Sequence, residues 1–363
     1  MAFPIIGNKG ICYQPFPPGY DPSTANHTWI FFGSDIAYAP MRPLWGGAWE
    51  NAKKQMFPGR SDLLTVQQMG VNLIRLYDWE PRNNHQNFLD DCLRFGFSVL
   101  APVSNYFLLE GYPKRLQHIP NLIKSFSNAE GTDYHRAITG IIIGNEPRVS
   151  GYTVDQCIQF TKDWVAIERS QFGSYRKLQI GHPVDFNQYG GRYPCWGFWD
   201  PLVGALNGDD ISQRLFLAPQ TYNEAEYLFQ NAEGSGTGYV DLTWNLYHKP
   251  ILFTEIGLGR DKPKHVSVVR GQLQGCINYN KQYADRLPAF CFFQFADKVW
   301  KQGTPEGMFG AHSHTNDFLT TVQYSAGDFT HWDVTEPNPD QMTVDRLERT
   351  DLFGAVSDTY NGR

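Results

Sequence analysis

The sequence of 363 residues predicts an α/β fold, a (β/α)8 TIM barrel, because eight strand-like segments alternate with helical segments along the chain. The strand-like segments are short and rich in apolar and β-branched residues, which is typical of parallel strands buried on both faces. One of them stops at Gly144 and is followed by Asn145 and Glu146, another ends at Glu255, and the interval between the two glutamates fits three βα units. These glutamates would therefore end the fourth and seventh strands, at the end of the barrel where such folds carry their chemistry.

Turn and capping residues divide the chain into these units. A capping box from Thr153 to Gln156 opens the helix after the fourth strand. Gly70 and Gly96 end the first two helices. The predicted helices cover residues 61–69, 85–95, 115–127, 153–172, 240–246 and 266–283. The predicted strands cover residues 9–14, 72–77, 98–103, 137–144, 177–184, 215–222, 250–255 and 290–296.

The catalytic barrel is expected to span residues 1–310, with long loops after strands one and five. The first loop, residues 15–60, is rich in proline, glycine and aromatic residues, and loops of this length tend to be functional. Residues 311–363 are polar and short of apolar periodicity. We therefore expect them to form a C-terminal extension that packs on or near the barrel.

Composition narrows the classes of function. The net charge of −6 gives no electrostatic case for nucleic acid or for an anionic membrane, and no apolar run approaches the roughly 20 residues that cross a bilayer. The aromatic content of 15% favours sugar binding without establishing it, because aromatic faces stack on sugar rings but also fill protein cores. The start MAFPIIGNKG lacks the features of a signal peptide, so the chain is expected to be cytoplasmic as it stands, or secreted if a leader has been removed.

We expect neither a metal ion nor another cofactor. The pair His312 and His314 has no carboxylate or cysteine nearby in sequence to complete a zinc site, and no glycine-rich nucleotide motif follows a strand. The six cysteines form no C-x-x-C pair, which favours reduced, buried thiols over a disulfide framework. Cys12 and Cys291 would lie on the neighbouring strands one and eight as an unbridged pair.

Two carboxylates at one barrel mouth suit the cleavage of a glycosidic bond. When they lie about 5 to 5.5 Å apart, one attacks the anomeric carbon and the other protonates the leaving oxygen. Burial raises the pKa of the acid, while donors such as Arg75 help to keep the nucleophile ionised. Strand alternation alone leaves Arg75 inward or outward, and we expect it to point inward near Glu255 instead of forming a salt bridge at the barrel bottom. A single strand-end glutamate is more often half of a structural ion pair, but two at corresponding strand ends favour a catalytic pair.

The segments around these residues resemble the retaining glycoside hydrolases of clan A. IIIGNEP is similar to the acid/base strand of that clan, and ILFTEIGLG is similar to its nucleophile strand. Four further segments resemble glycoside hydrolase family 17, the β-1,3-glucanases, and family 72, the β-1,3-glucanosyltransferases: KGICYQP, MGVNLIRLYDWEP, LRFGFSVLAPVSNYF and EGMFG. The resemblance covers roughly residues 9–310. Pro147, and the absence of the cysteine pattern of the fungal transferases, depart from both families.

This resemblance implies roles for five residues. Glu146 would be the acid/base, Glu255 the nucleophile and Asn145 the contact to the sugar 2-hydroxyl. Tyr77 matches the tyrosine of strand two in both families, and Tyr222 matches an aromatic residue near the nucleophile.

Other aromatic and polar residues lie at or beyond predicted strand exits. Trp300 lies near the strand-eight aromatic platform of the family, and Asp78 and Asn105 lie at the exits of strands two and three. Lys298 is expected to form a rim ion pair with its neighbour Asp297. The tryptophans of the loop after strand five either stack on sugars or fix that loop to the barrel.

The sequence thus predicts a retaining glycoside hydrolase or transglycosidase that acts on an oligosaccharide or polysaccharide, a β-glucan with β-1,3 linkages. Two alternatives stay open. One is a carbohydrate-binding pseudoenzyme without turnover, and the other is a clan A glycosidase of β-1,4 or β-1,6 linkage. A barrel lyase or aldolase would need a strand-end lysine or a metal cluster that the sequence does not offer.

Overall fold

The computed structural model describes most of the chain. The described residues are 7–14, 49–50, 56–57, 62–79, 81, 85–109, 114–173, 175–186, 192–298, 301, 303–304, 307–323 and 341–363. The predicted loop after strand one lies almost wholly outside these ranges, apart from a short antiparallel pairing of residues 49–50 with 56–57.

Eight parallel strands form a closed barrel, which confirms the predicted (β/α)8 fold. Each strand pairs with its neighbours in chain order, and the first strand pairs with both the second and the eighth. The strands are β1 (Lys9–Cys12), β2 (Leu73–Arg75), β3 (Ser98–Val103), β4 (Ile138–Ile143), β5 (Gln179–Asp185), β6 (Leu215–Thr221), β7 (Leu252–Ile256) and β8 (Ala289–Phe292).

Helices surround the barrel and connect its strands. The helix after β4 begins with the predicted capping box: Gln156 N donates to Thr153 Oγ1 at 3.2 Å, and Thr153 N donates to Gln156 Oε1 at 2.7 Å. The helices are α1 (Asp62–Gln68), α2 (Gln86–Phe95), α3 (Asn105–Leu109), α4 (Lys114–Ser125), α5 (Pro147–Ser150), α6 (Val154–Gln171), α7 (Trp196–Ala205), α8 (Asp209–Ser212), α9 (Ala225–Phe229), α10 (Tyr239–Tyr247), α11 (His265–Gln282) and α12 (Asp351–Asn361).

The apolar core has two parts, because strand side chains alternate between the barrel interior and the surrounding helices. In β4, Ile141 and Ile143 belong to the larger cluster between strands and helices, whereas Ile142 belongs to the smaller cluster inside the barrel. Both faces of this strand are therefore buried. This explains why its sequence is apolar at consecutive positions.

A buried ion pair fixes α6 to the start of β6, at the end of the barrel remote from the strand exits. Arg214 donates to Glu168 through Nη1 at 2.5 Å and through Nη2 at 2.9 Å. Its Nε donates to the carbonyl of Leu178 at 2.7 Å, and Tyr134 also donates to Glu168. This geometry satisfies both charges, so the pair has a structural role.

Among the described residues beyond 310, a C-terminal helix packs on the barrel. A hairpin of β9 (His312–Gln323) and β10 (Gln341–Arg349) leads into α12, which packs against α11. The Tyr360 hydroxyl donates to the carbonyl of Gly10 in β1 at 2.9 Å, and Asn361 Nδ2 donates to the carbonyl of Gln68 at 3.1 Å. The expected boundary at residue 310 lies between β8, which ends at Phe292, and β9, which begins at His312.

Helix α12 corrects the expectation that this segment lacks apolar periodicity. Its buried residues recur at the spacing of one helix face. They are Leu352, Ala355, Val356, Thr359 and Tyr360.

Among the described residues, no helix is long and apolar enough to cross a membrane, and no group of three potential metal ligands is found. His314 Nδ1 lies 3.0 Å from Asp345 Oδ1, and His312 Nδ1 lies 3.0 Å from the carbonyl of Phe295. All six cysteines are buried as free thiols.

Candidate active site

A cavity of about 340 Å³ opens at the carboxyl ends of the barrel strands. Parallel strands place their exits at one end of a barrel, so side chains distant in sequence meet there. Arg75 lies beneath the cavity, and Trp300 lies outside the described residues. The predicted site residues that line the cavity are Tyr77, Asp78, Asn105, Asn145, Glu146, Tyr222 and Glu255.

The exit of β4 presents Asn145 and Glu146 on a tight turn. Gly144 has φ +71°, and a β-carbon there would lie 2.3 Å from the hydroxyl of Tyr152, so only glycine fits. Glu146 itself has φ +52°, an uncommon left-handed conformation for a residue with a side chain. Its amide donates to the carbonyl of Pro183 at 3.1 Å. The turn therefore places Glu146 over the cavity in a conformation that the surrounding contacts impose.

Glu255, in β7, accepts hydrogen bonds from four side chains. Its Oε1 accepts from Arg75 Nη1 at 2.6 Å, from the Tyr77 hydroxyl at 2.7 Å and from Gln220 Nε2 at 2.6 Å. Its Oε2 accepts from the Tyr222 hydroxyl at 2.8 Å. Only an ionised carboxylate accepts on both oxygens without donating, so this arrangement fits the charged form. Oε2 has the smaller number of donors.

Asn145 connects the two glutamates. Its Oδ1 accepts from Arg75 Nη2 and from Gln220 Nε2, the latter at 2.7 Å. These contacts leave the Nδ2 group to act as a donor, and it points toward Glu146 Oε2 at 3.2 Å. The backbone amide of Asn145 donates to Asn105 Oδ1 at 2.6 Å. Asn105 thus fixes the turn, although it also reaches the cavity wall.

The carboxyl group of Glu146 is in a different environment. Burial raises its pKa to about 7, and the negative charges of Glu255 and Asp185 act in the same direction. The positive charges of Lys298 and Arg75 oppose this rise. The two glutamates of the cavity therefore differ in their surroundings: one accepts four hydrogen bonds, and the other retains its proton to near-neutral pH.

Several residues at the site were not predicted from the sequence. Gln220 lies in β6, two positions before Tyr222 at the strand exit, so strand alternation was a signal that both point inward. Lys298 lines the cavity, and the expected ion pair with Asp297 is wrong, because Asp297 pairs with Arg260 and accepts from Gly310 N. The other cavity residues that sequence reasoning missed are Gln14, Val149, Phe293, Lys301 and Phe309.

The tryptophans after strand five do not line the cavity. Trp199 is completely buried in the core, and Trp196 Nε1 donates to Thr243 Oγ1 at 3.2 Å. Both lie in α7, so they fix this segment to the barrel. Of the two interpretations that the sequence left open, the structure supports the packing role.

The fold and the site together define a (β/α)8 barrel with a glutamate at the exits of β4 and β7, facing one cavity. No protein-family model matches the chain, and no curated protein matches it. Solved structures with a similar fold include Gas2p of Saccharomyces cerevisiae in complex with laminaripentaose. That structure is 17% identical, with a TM-score of 0.55, over 99% of this chain and 69% of the Gas2p chain.

Two structures of a Gas2p mutant are similar to this chain to the same degree. The complex with laminaritetraose and laminaripentaose is 16% identical with a TM-score of 0.53, over 99% of this chain and 67% of the other. The mutant without ligand is 16% identical with a TM-score of 0.58, over 99% and 64% of the two chains. At this identity the similarity shows the fold, and it agrees with the closed eight-stranded barrel of this chain.

Proposed function

We propose that the protein is a retaining glycoside hydrolase or transglycosidase that acts on a β-glucan, with Glu255 as nucleophile and Glu146 as acid/base. The observation that carries this proposal is the contrast between the two glutamates of one cavity. Retaining glycosidases need one ionised carboxylate and one that holds a proton near the working pH. The hydrogen bonds to Glu255 and the raised pKa of Glu146 meet these two requirements.

In the first step, Glu255 Oε2 attacks the anomeric carbon. Oε1 is held by three donors, so Oε2 is the oxygen with lone pairs available for the new bond. The bond from the anomeric carbon to the glycosidic oxygen breaks, and Glu146 gives its proton to that oxygen. A glycosyl ester of Glu255 and a free sugar hydroxyl result.

In the second step, Glu146 acts as the base. Formation of the ester removes the negative charge of Glu255, which had raised the pKa of Glu146, while the charges of Arg75 and Lys298 remain. The pKa of Glu146 therefore falls, and it accepts a proton from the hydroxyl that attacks the anomeric carbon. As the new bond to that oxygen forms, the ester bond to Glu255 Oε2 breaks, and Glu255 returns to its ionised form. Water as the acceptor gives hydrolysis, and a second sugar gives transfer, with the β-configuration retained in both cases.

Two observations support a β-1,3-linked substrate. Laminari-oligosaccharides, which are β-1,3-linked glucose chains, are bound in Gas2p structures of similar fold. The segments of strands one to three and the segment EGMFG resemble families that act on this linkage. The rings of Tyr77, Tyr222 and Phe293 lie on the cavity wall, where they offer apolar faces to a sugar. The proposed reaction needs no cofactor.

The test is incubation with laminaripentaose, with products followed by chain length and by anomeric proton NMR. Shorter products with the β-configuration support hydrolysis, and products longer than the input support transfer. If only β-1,4 or β-1,6 oligomers are cleaved, the proposed mechanism stands and the proposed β-1,3 linkage of the substrate is wrong. Binding without turnover of any glycan would identify a pseudoenzyme and refute the proposal.

A further inference from the structure

Lys298, which follows β8, turns its side chain into the cavity that contains both glutamates. Its Nζ lies 4.8 Å from the centroid of the Phe293 ring and 5.5 Å from that of Tyr77. These distances place the ammonium group over two ring faces, where a cation is attracted. A flexible lysine side chain is thereby held at a defined position instead of extending into solvent.

Within the described part of the chain, the contacts of the Lys298 ammonium group are with these rings. No described residue offers it a carboxylate, carbonyl or hydroxyl oxygen within hydrogen-bonding distance. An ammonium carries three N–H donors, and a half-buried donor without an acceptor is unfavourable. In contrast, Arg75 donates through Nη1 to Glu255 and through Nη2 to Asn145. A ligand that enters the cavity would supply the missing acceptors of the Lys298 ammonium group.

The charges around Lys298 act on the protonation of its side chain. Burial lowers the pKa of Lys298 to about 8, while the negative charges of Glu255 and Glu146 oppose this, and Lys301 and Arg75 add to the lowering. The ammonium form thus dominates at pH 7. It attracts both glutamates through space without forming an ion pair with either. All three groups line the cavity that a reacting sugar would occupy.

We propose that Lys298 is a further substrate-binding residue, whose ammonium group donates hydrogen bonds to hydroxyl groups of the sugar held between Glu146 and Glu255. This proposal rests on the proposed function, because it takes a sugar as the ligand of the cavity. The rings of Tyr77 and Phe293 pre-organise the donor, so little side-chain freedom is lost on binding. Three donors on one side of the cavity favour a sugar with free hydroxyls on the face toward β8.

The test compares Lys298→Met with its parent in two assays. Calorimetry measures laminaripentaose affinity in a Glu146→Gln background, in which the substrate is not consumed, and kinetics measure kcat/KM with Glu146 intact. Loss of charge-assisted hydrogen bonds is expected to weaken affinity by about 10- to 100-fold. Lys298→Arg should restore part of it. The exposed Lys162→Met, which removes one charge from α6, should leave affinity unchanged.

A pH profile separates this role from a purely structural one. Lys298 and Arg75 lower the pKa of Glu146, while Glu255 and Asp185 raise it. Lys298→Met should therefore move the alkaline limb of kcat/KM to higher pH. If Lys298→Met does not fold, as judged by circular dichroism, Lys298→Gln replaces it.

Affinity within twofold of the parent, with an unmoved pH profile, would overturn the role of Lys298 even if the enzyme cleaves β-glucan. Weakened affinity in a protein that turns over no glycan would refute the proposed function and leave this inference standing. A protein that binds no β-1,3, β-1,4 or β-1,6 oligosaccharide would overturn both.

Discussion

Arg75 and Glu255 form a buried ion pair beneath the cavity, with Nη1 donating to Oε1 at 2.6 Å and side-chain exposures of 1% and 4%. The pair joins β2 to β7 across the barrel interior. Its second donor, Nη2, reaches Asn145 at the exit of β4. One guanidinium group thus fixes residues from three strands, including the residue next to the proposed acid/base.

Replacement of Arg75 by methionine is expected to reduce both stability and activity. The change leaves the Glu255 carboxylate buried without its counter-charge, and loss of one partner of such a pair costs about 3–5 kcal/mol. Chemical denaturation measures the free energy of unfolding. Because Glu255 and Asn145 both lose a donor, kcat/KM of the folded enzyme should fall by more than about 100-fold.

Arg214→Met is the matched control for this variant. It breaks the buried pair with Glu168 at the other end of the barrel and should destabilise by a similar amount. The kcat/KM of the folded fraction should stay at the wild-type value. An equal loss of kcat/KM in both variants would mean that Arg75 acts only through stability.

Glu146→Gln is expected to lower kcat/KM only for substrates whose leaving group needs a proton. Glutamine cannot donate a proton, so kcat/KM for a laminari-oligosaccharide should fall by about 10²- to 10⁴-fold. A dinitrophenyl glycoside leaves without protonation, and its cleavage should be largely retained. Steady-state kinetics on both substrates check this. Equal losses on the two would remove Glu146 from the role of acid.

The pH dependence of kcat/KM should have its alkaline limb near pH 7. The raised pKa of Glu146, about 7, means that this carboxyl group loses its proton as the pH rises through neutrality. Because the proposed first step uses the protonated form, the rate should fall above this pH. This limb near pH 7 should be absent from Glu146→Gln measured on the activated glycoside, in which only the loss of the Lys298 proton at higher pH remains. A flat profile of the wild type between about pH 6 and 9 would contradict the assignment.

Gly144→Ala is expected to distort the turn that carries Asn145 and Glu146. The alanine must adopt φ +71° and place its β-carbon 2.3 Å from the Tyr152 hydroxyl. The left-handed conformation alone costs about 1–2 kcal/mol. The clash adds to this, so both the melting temperature and kcat/KM should fall. Differential scanning fluorimetry and kinetics on the same preparation measure the two effects.

Gly151→Ala is the control for Gly144→Ala, because it introduces the backbone strain of a positive φ without a steric clash. Gly151 has φ +83°, but no atom of the described residues lies within 4 Å of the position of its β-carbon. This variant should show only the smaller loss of stability and retain its kcat/KM. A loss of activity as large as that of Gly144→Ala would mean that the clash at Tyr152 is unimportant.

The barrel and its charged pair were predictable because their signals are local. The consecutive isoleucines of β4 require burial on both faces. Strand alternation alone left Arg75 inward or outward, and the structure agrees with the inward choice near Glu255 over a salt bridge at the barrel bottom. Helix α12 was not predicted, because its buried face includes Ala355 and Thr359, which carry little hydrophobic signal.

The position of Lys298 could not be predicted for a different reason. A lysine at a strand exit can extend into solvent or turn inward, and the sequence does not distinguish the two. The outcome depends on the rings of Phe293 and Tyr77, which come from two different strand exits. Only the assembled barrel brings them together.

The contact between Tyr360 and Gly10 joins residues 350 positions apart. While the protein is being synthesised, β1 has neither its neighbour β8 nor the helix that covers it, so the nascent barrel is an open sheet with two exposed edges. Closure therefore waits until β8, which ends at Phe292, has left the ribosome, and the contact of Tyr360 with Gly10 forms later still. The high sequence separation makes both steps slow. Release of a chain shortened before α12 should yield a species that aggregates or binds chaperones.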